Sequence, residues 1–212
     1  MKQILLIDRE FGAGGSTIGE KLAERLNWKL FDQALTEEIA RRTKMPIPDC
    51  QRREGRVDPW LHRLVNIIWR GSIGSALPSP DLAVLDTDCL VREVQKVVEQ
   101  AAEARPCVIV GRGASHFLRD RKDTFSVFLY APRELKYRRV LKRVGNEKEA
   151  VELVDSMDDE RRKFVKHYFN HEWPNRQLFH AMLNTCMGDD NTIEAILQLL
   201  NAVNCDGKAG KA

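Results

Sequence analysis

The chain has 212 residues, of which 43% are hydrophobic and 31% are charged, the composition of an ordinary globular protein. At this length folding buries about 70% of the surface that an extended chain exposes, so no metal or disulfide staple is required. The 34 Lys and Arg residues nearly balance the 31 Asp and Glu residues, which leaves a net charge of +3. This composition excludes disorder of the whole chain, and it argues against a dedicated nucleic-acid binder, which would be far more basic.

The cysteines and the hydropathy favour a cytoplasmic protein. The five cysteines are an odd number, widely spaced and without a C-x-x-C pair, so neither a disulfide framework nor a cysteine zinc site is expected. No apolar run reaches the ~18 residues that a membrane helix needs. A strand-like segment follows almost directly after Met1, so no secretory signal is expected. Neither a membrane nor a nucleic acid is predicted as a partner.

Short apolar runs alternate along the chain with amphipathic segments. The runs are of the kind that form strands buried on both faces, and they lie at residues 4–7, 107–110, 125–130 and 181–183, with a weaker one at 28–31. Apolar stripes of helical period lie at residues 18–26, 94–101, 137–144 and 193–203. Strands that alternate with helices predict an α/β fold in which helices flank a parallel sheet.

Two segments depart from this alternation and are predicted to be insertions at the edge of the sheet. The first, about residues 33–87, contains five prolines and a helix-like patch from Trp60 to Trp69. The second, about residues 145–175, is strongly charged and helical in pattern. Residues 205–212 consist largely of Gly, Lys and Ala and are predicted to be a disordered tail. Residues 1–204 are therefore predicted to form a single domain.

A glycine-rich loop separates the first strand from the first helix. Its glycines allow the backbone N–H groups to face inward, as in loops that hold phosphate oxygens, and the helix adds the positive end of its dipole. Ser16 offers a hydroxyl where Mg²⁺ bound to the phosphates would need a ligand. The pattern G-x-x-x-x-G-K-[ST] is not met, because Gly15 takes the place of the lysine and Arg9 that of the first glycine. A tight turn that merely opens a helix is the alternative.

An arginine follows the second strongly apolar run. Arg112 comes directly after Gly111, at the carboxyl end of the strand predicted over residues 107–110. Ligands of open α/β sheets bind at this edge, and a guanidinium grips a phosphate with two parallel hydrogen bonds. The alternative is a surface arginine after a turn, which the position at a strand end disfavours.

In combination these motifs resemble the cytidylate kinase-like proteins, relatives of the bacterial nucleoside monophosphate kinases. The resemblance covers about residues 1–203 and weakens between 45 and 86. It rests on R-E-F-G-A-G-G at 9–15, F-D at 31–32, P-C-V-I-V-G-R at 106–112, F-L-R-D-R at 117–121, F-L-Y-A-P at 128–132, and the string Asp158, Arg161, Tyr168 and Trp173. It implies a P-loop NTPase-type fold in which the first insertion binds the acceptor and the second is a lid. The missing lysine is shared by this branch of the family.

The resemblance also implies a division of labour among site residues. The residues expected to bind ATP are Gly12, Ala13, Gly14, Gly15, Ser16 and Thr17. Ser16 would reach Mg²⁺ through the nucleotide, and Asp32 and Arg112 match the acceptor side. Arg9 either replaces the missing lysine or points away into an ion pair. The catalytic candidates are Arg161, Arg9 and Arg112.

The charged segment at residues 158–163 has two interpretations. As the lid of the family, it would bring Arg161, with Arg162 and Lys163 as fallback neighbours, onto the transferred phosphoryl group. As an ordinary charged helix, it would present a solvated face of i,i+4 pairs. His167 and His171 lie four residues apart but lack an evident third ligand, so a metal site is not expected. The aromatic residues expected to seat the lid by packing are Tyr168, Phe169 and Trp173.

Three functions are compatible with this pattern. The first is phosphoryl transfer from ATP, with Mg²⁺, to a nucleoside monophosphate, and a cytidine nucleotide is the best candidate acceptor. The second keeps ATP and changes the acceptor to another small phosphorylated or hydroxyl compound, which the poorly matched, arginine-bearing insertion motivates. The third is a nucleotide-binding regulatory protein with little turnover, which the absent loop lysine motivates.

Overall fold

A computed structural model describes residues 1–43 and 87–209. The predicted helix-like patch between Trp60 and Trp69, like most of the predicted acceptor insertion, lies outside the described residues. In chain order the elements are β1 (Ile4–Arg9), α1 (Gly15–Leu26), β2 (Lys29–Phe31), α2 (Gln33–Thr43), α3 (Thr87–Glu103), β3 (Cys107–Val110), α4 (Ala114–Phe117), β4 (Thr124–Tyr130), α5 (Arg133–Val144), α6 (Glu147–Phe169), β5 (Ala181–Asn184) and α7 (Asp189–Ala209).

The strands form a five-stranded sheet in the order β2-β3-β1-β4-β5, and every pair of neighbouring strands is parallel. Strand β1 lies at its centre, with Ile4 opposite Cys107 of β3 and Thr124 of β4. The predicted parallel sheet with flanking helices is therefore confirmed. The continuous apolar runs were a sound guide because β1, β3 and β4 are covered on both faces.

Alternate residues of β1 divide the hydrophobic core into two layers. Ile4 and Leu6 pack with α2, α3 and α4, whereas Leu5 and Ile7 pack with α1 and α7. This division follows from the period of two along a strand, which sends successive side chains to opposite faces. The same alternation directs Asp8 to the face of α4 and Arg9 to the face of α1.

Two boundaries differ from those predicted. Strand β1 continues past Ile7, because Asp8 and Arg9 pair with Phe128 and Leu129 of β4. Helix α7 continues to Ala209, so the predicted tail at 205–212 starts too early. A helix already held by packed residues adds further turns with one hydrogen bond per residue, which offsets the unfavourable propensity of a glycine in the added turn.

Helix α6, the predicted lid, forms a hairpin with α5. Gly145 ends α5 in a left-handed conformation, and the side chain of Asn146 caps the first turn of α6. The buried face of α6 packs with α5 around Phe11, which belongs to the loop after β1. At the far end of α6, Phe169 stacks on His116 of α4 with ring centroids 4.3 Å apart. The predicted packing function of the lid aromatics is thus confirmed for Phe169.

Candidate active site

The loop between β1 and α1, residues 10–15, is called the glycine loop here. Gly12 and Gly14 have φ angles of 78° and 86°, a backbone conformation that side chains other than glycine rarely adopt. Helix α1 begins at Gly15, and no side chain caps it. The first N–H groups of a helix have no partner within it, so this end of α1 favours an anion. Ser16 and Thr17 are exposed beside it.

The side chain of Arg9 crosses the mouth of the glycine loop. A Cβ atom built on Gly15 would lie 2.7 Å from Cγ of Arg9, and one built on Gly111 would overlap the Arg9 guanidinium. Arg9 therefore extends from the start of α1 to the loop after β3. It forms no ion pair with any residue that the structure describes. The alternative in which Arg9 points away into an ion pair is therefore not observed among the described residues, and its replacement of the lysine stays a prediction.

Arg161 approaches the same place from α6. Its Nη1 donates to the backbone carbonyl of Arg9 at 3.0 Å and to Oδ1 of Asp158 at 3.0 Å. Burial, with the positive charges of Arg9 and Arg112, lowers the pKa of Arg161 to about 10, although the negative charge of Asp158 opposes the shift. The guanidinium nonetheless keeps its proton at neutral pH.

The loop after β3 supplies the third arginine. Gly111, Arg112 and Gly113 all have φ angles between 58° and 72°, so three successive left-handed residues turn the chain at the carboxyl end of the strand. Arg112 is buried there. Asp32 comes one residue after the pairing of Phe31 with Ile109, which brings it to the same edge of the sheet. The two predicted acceptor residues are therefore on neighbouring strand ends.

Three arginines, Arg9, Arg112 and Arg161, thus lie close to one another beside the start of the glycine loop. Each of Arg9 and Arg112 lowers the pKa of Arg161, so these like charges act on one another in a poorly solvated place. A concentration of positive charge of this kind, next to the open end of a helix, stabilises a polyanion. It also stabilises the transition state of phosphoryl transfer, in which negative charge spreads over the oxygens of the transferred group.

Two basic residues of α5 at this site were missed in the sequence. Nζ of Lys136 lies 3.0 Å from Oε2 of Glu10 and 3.0 Å from Oδ2 of Asp158, and its main chain lines Gly12. Burial opposes the charge of Lys136, but the two carboxylates outweigh it and raise its pKa. Arg139 follows one helical turn later. The i,i+3 spacing on the helix after β4 was a usable signal, because it puts both side chains on one face.

Arg139 lies over the other end of the glycine loop. Its Nη1 donates to Oγ1 of Thr185 at 2.9 Å, and its Nη2 pairs with Asp189 at the start of α7. A Cβ atom built on Gly14 would lie 3.1 Å from Nη1 of Arg139. Arg139 therefore forms a planar, charged wall between the glycine loop and the segment after β5.

A carboxylate and an imidazole lie on the α4 face of the sheet edge. Asp8 is 8% exposed at the end of β1, and His116 is 5% exposed on α4. Burial lowers the pKa of His116 to about 4, although the negative charge of Asp8 opposes the shift. Neither ring nitrogen of His116 has a hydrogen-bond partner within the described part of the chain. The imidazole is therefore neutral at pH 7.

The fallback residues of the lid behave differently from Arg161. Arg162 and Lys163 both pair with Asp159 on the solvated side of α6. The interpretation of residues 158–163 as an ordinary charged face thus holds for these two residues, whereas Arg161 turns inward.

Within the residues described, no helix is both long enough and apolar enough to cross a membrane.

The parallel five-stranded sheet, with a glycine loop between its central strand and the first helix, defines the class of the protein as an α/β fold of the P-loop NTPase type. A family model described as the cytidylate kinase-like family matches residues 4–186. The chain belongs to the cytidylate kinase-like family. Comparison with curated proteins gives no significant match.

Solved structures share the fold at low sequence identity. An uncharacterized protein from Eubacterium ventriosum is 24% identical, with a TM-score of 0.64 over 95% of this chain and 99% of that one. A gluconokinase from Sinorhizobium meliloti is 14% identical, with a TM-score of 0.57 over the whole of both chains. A shikimate kinase from Acinetobacter baumannii is 21% identical, with a TM-score of 0.53 over 95% and 94%. These likenesses concern the fold.

Proposed function

We propose that this protein is an ATP-dependent phosphotransferase that uses Mg²⁺ and acts on a nucleoside monophosphate, with a cytidine nucleotide as the first candidate. The observation that carries the proposal is the proximity of Arg9, Arg112 and Arg161 to one another where the glycine loop meets the loop after β3. Phosphoryl transfer needs little covalent help from protein. It needs two anionic substrates held in line and positive charge around the transferred group.

On the donor side, residues 12–17 hold the phosphates of ATP with backbone N–H groups and the end of α1. Arg9 takes the place of the missing lysine, because its side chain passes Gly15 of the glycine loop and carries the guanidinium to Gly111, toward the acceptor side. Arg139 borders the loop on the side toward Thr185, where a planar guanidinium stacks well on a nucleobase.

The residues at the start of α1 fit a magnesium ion. The exposed hydroxyl of Ser16 and the phosphate oxygens of the nucleotide are hard oxygen ligands, which Mg²⁺ prefers, and the ion keeps most of its waters in such sites. When bound, Mg²⁺ neutralises charge on the donor phosphates. Ser16 would hold it, and Thr17 is the neighbouring hydroxyl.

On the acceptor side, Arg112 grips the acceptor phosphate with its planar fork and Asp32 binds base or sugar. Arg161 contacts the transferred group from the lid. The family resemblance supports a cytidine nucleotide as the acceptor. The insertion that would read the base falls mostly outside the described residues.

One observation favours a second acceptor class, a small alcohol. A nucleotide phosphate is already ionised at pH 7 and needs no base, whereas a hydroxyl must lose its proton as it attacks. Asp8 places a nearly buried carboxylate at the end of the central strand, on the acceptor face. Asp8→Asn separates the two classes. With an alcohol acceptor kcat falls by about 100-fold or more, and with a nucleoside monophosphate it stays within about threefold of wild type.

The proposal is tested by calorimetric titration with ATP and Mg²⁺, alongside a phosphotransfer screen over nucleoside monophosphates and small alcohols. We expect saturable ATP binding and a phosphorylated product, with CMP among the best acceptors. Failure of ATP to bind overturns the proposal. Tight binding without turnover on any acceptor favours the regulatory alternative.

A further inference from the structure

Asp158 ties three elements together beneath the proposed site. Its Oδ1 accepts a hydrogen bond from the backbone N–H of Phe11 at 2.7 Å and one from Arg161 at 3.0 Å. Its Oδ2 accepts one from Nζ of Lys136 at 3.0 Å. The Asp158 side chain is only 13% exposed and needs such partners, because an unpaired buried charge is strongly unfavourable.

These hydrogen bonds form a closed network around the turn after β1. Arg161 donates both to Asp158 and to the carbonyl of Arg9, and Asp158 in turn accepts from Phe11, two residues further along. Helix α6 thus holds both ends of the turn that starts the glycine loop. The ring of Phe11 packs with Val154 and Met157 of α6, which anchors the same turn by apolar contact.

The hydrogen bonds of Asp158 are not a general requirement of the packing of α6. Neighbouring Asp159 makes an equivalent i,i+3 pair with Arg162 that is about half exposed and, among the described residues, forms no hydrogen bond with the glycine loop. Nothing in the stability of a charged helix requires Asp158 to turn inward, because exposed i,i+3 pairs serve a helix equally well. The inward pair instead fixes the direction of the Arg161 guanidinium relative to the loop.

We propose that Asp158 is a positioning residue for phosphoryl transfer: it holds Arg161 in register with the glycine loop, so that the guanidinium is already aligned when the transferred group arrives. The inference rests on the proposed function. An interaction that is preorganised for the transition state accelerates the reaction, and a displacement of about 1 Å is enough to cost about 100-fold.

The test compares binding of ADP with binding of ADP plus aluminium fluoride, a mimic of the transferred group, each with Mg²⁺ and with or without CMP. For wild type we expect the mimic to tighten binding by about 100-fold. Arg161→Ala should abolish this gain. Asp158→Asn should reduce it by about tenfold or more and leave ADP affinity within about threefold. Asp159→Asn is the matched control and should behave as wild type.

A double variant decides whether Asp158 acts through Arg161. If it does, Asp158→Asn combined with Arg161→Ala loses no more of the gain than Arg161→Ala alone, since coupled residues are not additive. Asp158→Glu keeps the charge and shifts the carboxylate by one methylene, so it serves if the Asn variant fails to fold, and it too should reduce the gain.

The outcomes separate the two proposals. If the wild-type protein does not bind ADP, the proposed function is wrong. Three outcomes overturn the positioning inference: the wild type binds ADP without any gain from aluminium fluoride, both Asp158 variants keep the full gain, or the losses in the double variant are additive.

Discussion

Two ion pairs of the same spacing on α6 have opposite surroundings. Asp158 and Arg161 are 13% and 14% exposed in their side chains, whereas Asp159 and Arg162 are 45% and 51% exposed. Exposed pairs contribute about 0–1 kcal/mol to stability, because solvent screens them and side-chain entropy opposes them. The buried pair is expected to matter for turnover instead, because it lies beside Arg9 and the glycine loop.

Arg161→Ala should lower kcat by about 1,000-fold and change the KM of either substrate by much less, since the lost contact is made to the transferred group. Arg162→Ala on the solvated side is the matched control and should keep near-normal turnover. Steady-state kinetics decide the matter. A larger loss for Arg162→Ala would move the catalytic role by one residue along α6. Normal turnover in both variants would show that neither arginine is catalytic.

Arg112→Lys retains the positive charge but loses the planar fork that binds two phosphate oxygens at once. We expect the KM for the acceptor to rise by about tenfold while the affinity for ATP stays nearly constant. Calorimetry with ATP and kinetics with varied acceptor measure the two effects separately. Equal losses for both substrates would place Arg112 on the donor side or between the substrates.

The shape of the glycine loop depends on three elements together: β1, α1 and α5. Gly14 has a φ of 86°, and a Cβ atom there would lie 3.1 Å from Nη1 of Arg139. Gly145, between α5 and α6, has a φ of 72° with open space around it. The two glycines therefore share backbone strain on substitution but differ in their distance from the site.

Gly14→Val should abolish ATP binding, because a β-branched side chain at this φ distorts the loop and occupies the approach of the phosphates. Gly145→Val should lower the melting temperature to a similar extent and leave ATP affinity unchanged. Thermal unfolding and calorimetry on both variants test this. Unchanged ATP affinity in a folded Gly14→Val variant would remove residues 12–17 from the donor site.

The α5–α6 hairpin is the element that completes the site. Alone, β1 and β3 supply Arg9 and Arg112; the hairpin adds Lys136, Asp158 and Arg161. Its charged sequence resembles a solvated surface, and its outer face is one. The apolar stripe predicted at residues 137–144 forms the α5 side of the contact. The other side comes from α6 and from Phe11, which lie far apart in the sequence.

At the scale of the whole molecule, the sheet brings distant parts of the chain to one edge. Parallel strands end on the same side, so residues that follow β1, β2 and β3 become neighbours although about 100 positions separate the first from the last. At this edge the Arg9 side chain is directed to the α1 face of the sheet and the Asp8 side chain to the α4 face. This division matches the donor and acceptor sides of the proposed reaction.

The amino-acid sequence by itself determined the α/β class, all five strands and the glycine loop at the start of α1. For β1, β3 and β4 the reason is that strands buried on both faces need continuous apolar runs, and for the loop it is that left-handed turns favour glycine. The half-buried edge strands β2 and β5 have shorter apolar runs. Only the tertiary structure decided that Arg9 spans Gly15 and Gly111 and that Arg161 turns inward while Arg162 does not. The Arg9 side chain packs against Gly111, which is far from it in the sequence, and Arg161 bonds the Arg9 carbonyl across 152 positions of the chain. No local period in the sequence records contacts over such separations.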